Sequence, residues 1–278
     1  YLRYPGRSFD DARTYNRYGG TTRRDKWRRE NITRLLGRIR AALLEIDPLV
    51  KLGVAPIGIY RNPAGVRGLE SYSDVYQDTH HWTELHLVDY VVPQLYWPVG
   101  GANGDPDFTT MAGLWRDQTR GCQLYLGIGS YKAEVLEQSE RLVGVARSTG
   151  AEGHAFFRYT NIEPVLPLRA HAVMALPPVM AWKDSVPPDP PAALNVSPDG
   201  GIRRIRWEPP SSGDEPGGHY ALYRMSGATR REPREERLIA VVPSSVRSFA
   251  DSVSAGGEAL WYALTRLDRS WNESLPVE

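Results

Sequence analysis

Residues 90–101 read YVVPQLYWPVGG. The stretch opens as an apolar run and closes on Gln94, Tyr96, Trp97 and Pro98 before a glycine pair. A strand that serves packing alone keeps to Val, Ile and Leu to its last residue. This one carries an amide and two large aromatics where it ends, and a helical segment, FTTMAGLWRDQTRG, follows through a Gly-rich loop. The same order recurs along the chain. VKLGVAPIGIY leads to SDVYQDTHHWTELHL, CQLYLGIGSYK to AEVLEQSERLVGVARSTG, and GHAFFRYTN to IEPVLPLRAHAVMA. Apolar runs alternating with helical segments predict parallel β-α units whose helices cover the sheet. The near-continuous apolar character of the runs predicts burial on both faces. Pro56 and Pro93 sit inside two of them, where a central strand needs its N–H groups; bulges or tilted barrel strands would accommodate them.

Upstream, TTRRDKWRRENITRLLGRIRAALLEIDP is the clearest helix. Ile32, Leu35, Leu36, Ile39, Leu43 and Ile46 recur every three or four residues and mark one buried face. Thr22 with Asp25 resembles a capping box, and Pro48 stops the helix. The arginines (Arg23, Arg24, Arg28, Arg29, Arg34, Arg38, Arg40) read as a solvated face, because no aromatic platform of a nucleic-acid site accompanies them. The opening YLRYPGRSFDD is neither a signal peptide nor a complete element, and it reads as the tail of an element that starts earlier.

Composition narrows the function. The chain has 278 residues, 41% hydrophobic and 24% charged, which suits one large or two ordinary globular domains. A net charge of +1 supplies no field toward nucleic acid or an anionic membrane. No apolar stretch approaches the about 18 residues of a membrane span. Cys122 is the only cysteine, so an intrachain disulfide and a thiolate metal cluster are excluded; within GCQLYLGIG it reads as a buried, inert thiol. His80, His81 and His86 lack metal-ligand spacing and read as surface histidines. GIGSYKAEV lacks the third glycine of a phosphate cradle, and DPD at 105–107 reads as turn chemistry. No metal or cofactor is expected.

The pattern changes at residues 176–190, where LPPVMAWKDSVPPDP predicts a stiff linker. Beyond it, over 191–278, short alternating runs separated by turn residues have sandwich spacing: AALNVSP, GIRRIRWEPP, HYALYRM, RLIAVVP, SFADSV and WYALTRLD. Trp207, Tyr220 and Tyr262-Ala-Leu-Thr resemble a fibronectin type III module, with Tyr262 as a corner tyrosine bonded to backbone.

In parallel β-α units, function gathers at the carboxyl ends of the strands. Those ends are Ile59-Tyr60-Arg61-Asn62, Gln94-Leu95-Tyr96-Trp97, Tyr131-Lys132 and Arg158-Tyr159-Thr160-Asn161. Aromatic faces suit the C–H faces of a sugar ring, and polar groups suit its hydroxyls, within a mostly apolar pocket. Arg61, Asn62, Gln94, Tyr96, Trp97, Tyr131, Lys132 and Arg158 are therefore the candidate substrate-binding residues, expected around one cavity. Glycoside hydrolysis also uses two carboxyl groups, and none of these four ends carries one. Glu134, Glu163, Asp74, Asp78, Asp105 and Asp107 lie in loops or helices, and Asp89 precedes its strand on the stability face.

VKLGVAPIGIYRN, YSDVYQDTHHWTELHLVDYVVPQLYW and LYLGIGSYK, in that order, resemble the glycosyl hydrolase-like 10 family. The resemblance implies a (β/α)8 TIM-type barrel followed by an all-β fibronectin type III-like sandwich, in a secreted or cell-envelope protein. Residues 1–175 would be the C-terminal half of the barrel. The implied activity is O-glycosyl hydrolysis of cell-wall or related polysaccharide, without a cofactor. Only YLRYPG matches the end of the family's paired-aspartate strand, so the resemblance puts the catalytic residues upstream of Tyr1 and makes the N-terminal half of the barrel a partner. Asp10 and Asp11 match the loop before the helix. A non-catalytic carbohydrate-binding or surface-adhesion protein is the alternative.

Overall fold

The computed structural model describes residues 2–101, 105–163, 168–213, 216–226, 237–252 and 260–278. The chain divides into two compact units, Tyr1–Ala170 and His171–Glu278.

In the first unit, β1 (Gly53–Val54), β2 (Tyr90–Val91), β3 (Gln123–Ile128) and β4 (Gly153–Phe156) pair in parallel, in chain order. Helices α1 (Ala12–Tyr18) and α2 (Arg24–Ile46) precede the sheet. α3 (Thr79–Glu84) and α4 (Phe108–Gln118) connect the first three strands, and α5 (Ala133–Leu136) with α6 (Ser139–Ser148) connect β3 to β4. This is an α/β unit, as the alternating runs predict.

The prolines explain why β1 and β2 have only two residues each. Pro56 and Pro93 have no N–H to give, so the ladder stops short of them. Their carbonyls still hold the strands together: Gln94 N donates to Pro56 O and Gly127 N to Pro93 O, both at 3.0 Å. Isolated parallel bridges Ile57–Gln94 and Gln94–Gly127 carry the pairing past both prolines.

One face of the sheet meets the helices. Val91, Leu95, Leu124, Leu126 and Ile128 are fully buried in one cluster with Leu36, Trp82, Met111, Trp115 and Leu142. Each such side chain contributes about 1.5–3 kcal/mol by leaving water. The other face is built differently. Tyr90 and Tyr125 meet edge to face at 5.8 Å, and each lies over the glycine paired with it, Gly53 and Gly153. A Cβ on Gly53 would stand 2.1 Å from the Tyr90 ring, and one on Gly153 2.8 Å from the Tyr125 ring, so a larger residue at either site would push its tyrosine off the strand. Tyr90, Gln94 and Tyr125 are only partly buried and Ala155 is exposed. Burial on both faces is thus corrected to burial on the helix side.

The amino ends of the strands are held by acids. Asp89, just before β2, is fully buried, accepts Leu52 N at 2.8 Å and faces Arg40 at 3.4 Å. Glu152, just before β4, repeats the arrangement: it accepts Leu124 N at 2.7 Å and faces Arg116 at 3.4 Å.

Helix α2 departs from its pattern. Ile32 and Leu36 are buried, but Leu35, Ile39 and Ile46 are exposed. Arg23 is its N-cap and no side-chain cap bond forms; Asp25 pairs instead with Arg29 at 3.1 Å, so the Thr22–Asp25 box is absent. Nor are all its arginines solvated, because Arg28 and Arg29 are buried. Arg28 donates to both carboxylate oxygens of Asp11 at 2.8 Å, to Arg7 O and Phe9 O, and to the Tyr76 hydroxyl. Arg24 closes on the same carboxylate, from Nε at 2.7 Å. With its donors filled and an anion against it, a guanidinium can leave water.

The helix expected over residues 162–175 falls partly on 164–167, outside the described residues. On either side lie short 3-10 turns, Tyr159–Asn161 and Arg169–His171.

The second unit contains β5 (Ala193–Asp199), β6 (Ile202–Glu208), β7 (His219–Ser226), β8 (Leu238–Pro243), β9 (Ser248–Ser252) and β10 (Leu260–Leu267). They form two antiparallel sheets, β5-β6-β9 and β10-β7-β8. Ile205 and Trp207 from the first meet Tyr220, Leu222, Ala240, Tyr262 and Leu264 from the second in one core. The Tyr262 hydroxyl donates to Asp251 Oδ2 at 2.7 Å, and Arg224 holds the same carboxylate at 2.8 Å. Tyr262 therefore bonds a side chain of the other sheet, not backbone, because Asp251 on β9 presents a stronger acceptor.

The outer face of β10-β7-β8 carries a second cluster, including Tyr223, Met225 and Leu267, against which Leu176 packs. Met180 is buried, and Asn272 Nδ2 donates to Asp184 O at 3.3 Å. The proline-rich segment thus lies against this unit through Asp184. We expect Met180→Ala to destabilise the unit by roughly 2–5 kcal/mol, the range for deleting a buried Met side chain. A thermal melt of the full chain checks it; an unchanged second-unit transition would mean that the segment contributes nothing.

Candidate functional site

Three aromatic side chains meet at the carboxyl ends of β2, β3 and β4. Tyr96 stacks on Phe157 with ring centroids 5.5 Å apart and planes at 16°. Tyr131 meets both edge-on, Tyr96 at 5.8 Å and Phe157 at 5.9 Å. Strand alternation puts them there. Leu95 is fully buried and Phe156 packs against the helix-side core, so Tyr96 and Phe157, one residue on, turn to the other side. Tyr131 and Phe157 remain 48% and 50% exposed, leaving aromatic surface open for a ligand. Lys132 Nζ donates to Tyr96 O at 2.9 Å, which fixes a cation beside the cluster. Burial pushes the Tyr96 hydroxyl pKa up to about 12, so it stays neutral near pH 7 and both donates and accepts.

Gln94, Asn62, Trp97 and Arg61 go elsewhere. Gln94 spends its amide on Ala55 O at 2.8 Å, tying β2 to β1 where Pro56 and Pro93 interrupt the ladder. Asn62 gives its N–H and its Nδ2 to Glu70 Oε1, both at 2.9 Å. Trp97 is partly buried against the core beside Gly58. Arg61 lies over the Tyr72 ring at 4.0 Å and lines a separate cleft, while Gln94 lines another hollow. Arg158 is exposed after Phe157, and its carbonyl accepts Asn161 N. The structure thus brings Tyr96, Tyr131 and Lys132 together and sends Arg61, Asn62, Gln94 and Trp97 elsewhere, so the single shared cavity is corrected to one cluster and separate hollows.

Phe157 is the residue that sequence reasoning missed. The doublet Phe156-Phe157 carried the signal, since adjacent strand residues face opposite sides and only one of the two can serve the core.

Four carboxylates near the strand ends, Glu70, Asp74, Asp78 and Asp107, are engaged. A parallel bridge to Ile59 sets Glu70 beside the end of β1. Burial works to raise its pKa, but hydrogen bonds from Ser73 and Asn62 outweigh burial and hold it below the usual range. Asp74 pairs with Arg7, and Asp78 accepts the Tyr60 hydroxyl at 2.8 Å. Asp107 caps α4 through Thr110 N and also accepts Gly100 N, the turn chemistry read from DPD.

His80 corrects another expectation. It is partly buried, stacked on Tyr60 at 3.6 Å, and burial lowers its pKa. A short helix packed against its neighbours turns it inward. Cys122 is buried, and burial pushes its thiol pKa up to about 12. Among the described residues, no group of three His, Cys, Asp or Glu could hold a metal, and no helix is long and apolar enough to cross a membrane.

Comparison with known proteins adds the lineage. The family described as Glycosyl hydrolase-like 10 matches residues 1–141 of 278, just over half of the chain. The chain belongs to that family. Tyr96, Tyr131 and Lys132 lie within the glycosyl hydrolase-like 10 match, and Phe157 lies beyond it. Glycosyl hydrolase YngK of Bacillus subtilis (strain 168) is 28% identical over 305 aligned positions, which cover 97% of this chain and 58% of YngK. Glycosyl hydrolase DigH of Escherichia coli (strain K12) is 36% identical over 141, covering 48% of this chain and 32% of DigH. The chain therefore spans well under two thirds of either relative's length. Among solved structures, the spore cortex lytic enzyme SleM of Clostridium perfringens overlays 72% of this chain and 83% of its own, at 11% identity and a TM-score of 0.26, too loosely to carry an argument.

Proposed function

We propose that this chain is the substrate-holding part of a glycoside hydrolase acting on bacterial cell-wall or related polysaccharide. The Tyr96–Tyr131–Phe157 cluster carries the reading. It offers half-exposed aromatic surface to the C–H faces of a sugar, with the Tyr96 hydroxyl and Lys132 close by for its polar rim. Membership of a glycosyl hydrolase-like family supports it.

In this reading the four strands are part of a (β/α)8 barrel, and strands outside this segment bring the carboxyl pair. The partly bare sheet face and the exposed Leu35, Ile39 and Ile46 support the need for such a cover. The second unit is read as a fibronectin type III-like module, in which Trp207 meets Tyr220 edge-on at 5.6 Å. A secreted or cell-envelope location matches the substrate. The engaged state of Glu70, Asp74, Asp78 and Asp107 favours a second reading, a non-catalytic carbohydrate-binding protein.

Calorimetry with soluble oligosaccharides from cell-wall glycan strands tests the cluster. Tyr131→Ala should weaken binding about tenfold, or roughly 1.4 kcal/mol. Tyr131 is half-exposed, so the variant should fold. Unchanged affinity in a folded variant would remove the cluster as the sugar platform.

A further inference from the structure

A cleft of about 970 Å³ opens on the helical side of the first unit, walled by α2, the loop after β1, α3 and the end of α4. None of Tyr96, Tyr131 and Phe157 lines it. Its charges can be paired off in turn. Arg29 faces Asp25 at 3.1 Å and Lys26 faces Glu30 at 3.7 Å, while Glu84 lies 3.7 Å from the His81 ring, an ion pair only when that ring is protonated. Asp78 is taken by the Tyr60 hydroxyl at 2.8 Å. Two guanidinium groups remain.

Among the described residues, neither Arg34 nor Arg61 has a carboxylate partner. Arg34 donates to neutral acceptors, Glu30 O and Asn31 Oδ1. Arg61 rests on the Tyr72 ring at 4.0 Å, and Arg29 lies 4.1 Å from the same ring. Stacking uses the face of a guanidinium and leaves its in-plane N–H fork unspent, while holding the long side chain in place. His80 Nε2, which lines the same cleft, is buried without a hydrogen-bond partner.

A guanidinium stacked on a ring with its fork unspent, and a second cation without a carboxylate partner in the same cleft, make a receptor for a carboxylate. We propose that this cleft is a ligand site distinct from the aromatic cluster, and that it binds a small organic carboxylate of at most oligosaccharide size. Arg61 forms the forked pair and Arg34 supplies the second charge. An acidic sugar and the carboxyl end of a short peptide share this chemistry.

Calorimetric titration of the intact chain with trigalacturonate, with alanyl-alanine and with neutral maltotriose tests the site. One of the two acids should bind and maltotriose should not; which acid binds identifies the source. Arg61→Gln and Arg34→Gln should each lower affinity about tenfold or more, the scale of a lost charge-assisted pair. Added salt should weaken binding further. Both arginines are surface side chains, and circular dichroism confirms that the variants fold. Equal binding of maltotriose, wild-type affinity in folded Arg61→Gln, or no binding of either acid at millimolar concentration would each overturn the proposal.

Discussion

Incubated with cell-wall glycan strands, with or without attached peptides, the purified chain should release no oligosaccharide. Glycosidases need one protonated and one ionised carboxyl group flanking the scissile bond. Here the carboxylates near the strand ends face the wrong way chemically. Glu70 and Asp107 are both held below the usual carboxylate range by the hydrogen bonds they accept, against the opposing effect of burial, so neither keeps a proton to give to a leaving group. Asp78 and Asp74 already serve Tyr60 and Arg7. Without the pair, nothing supplies the rate enhancement of about a millionfold or more that separates an enzyme from background. Mass spectrometry of the soluble fraction reads the outcome. Release that disappears with Glu70→Gln or Glu134→Gln would put the chemistry inside this chain and defeat the expectation. Binding without release would agree with either proposed reading.

The next largest effect is on stability. Asp11→Asn leaves Arg28, buried to 2% exposure, facing no anion, with Arg24 beside it. Breaking a buried pair from one side costs about 3–5 kcal/mol, because the remaining charge stays desolvated. The effect depends on pH. Hydrogen bonds from Arg28 lead in holding the Asp11 carboxyl below its usual range, although burial opposes them. Its folded pKa thus lies below the unfolded value of about 3.9, so its contribution is complete above that pH and fades as pH falls through the folded value. Urea unfolding of wild type and variant should show a full gap near neutral pH that narrows in acid. A gap that persists at the lowest accessible pH would show that the negative charge is not its source.

Where the sequence was legible, a local period carried the information. Leu124, Leu126 and Ile128 announce their strand because alternate side chains enter one core. The six runs after the linker announce β5 to β10 for the same reason. What was not legible depended on partners distant in the chain. Arg28 looks solvated in its own helix, and only the return of Asp11, 17 residues upstream, makes burial affordable. Arg61 and Gln94 look alike as polar strand ends, but Tyr72 captures one and the Ala55 carbonyl the other. Three of the four residues of the aromatic cluster and its cation, Tyr96, Tyr131 and Lys132, were readable from strand ends alone. Phe157 was not, because in sequence it reads as one more apolar residue of its run, and the polar groups that mark a strand end begin only at Arg158.

The acids at the base of the sheet have a consequence for its top. Asp89 and Glu152 each reach an amide at the start of the preceding strand, Leu52 N just before β1 and Leu124 N, the second of β3, only when the strands are in one alignment. A one-residue slip would take the donor from Glu152 and from the fully buried Asp89, and would exchange the two faces of the strand. Alignment is thus keyed at the foot of the sheet, where an arginine waits beside each acid, and not by the length of the ladder. That frees the upper ends from any duty to zip. They can break at proline, splay, and carry tyrosine, phenylalanine and lysine in place of valine, because the register beneath them is already locked.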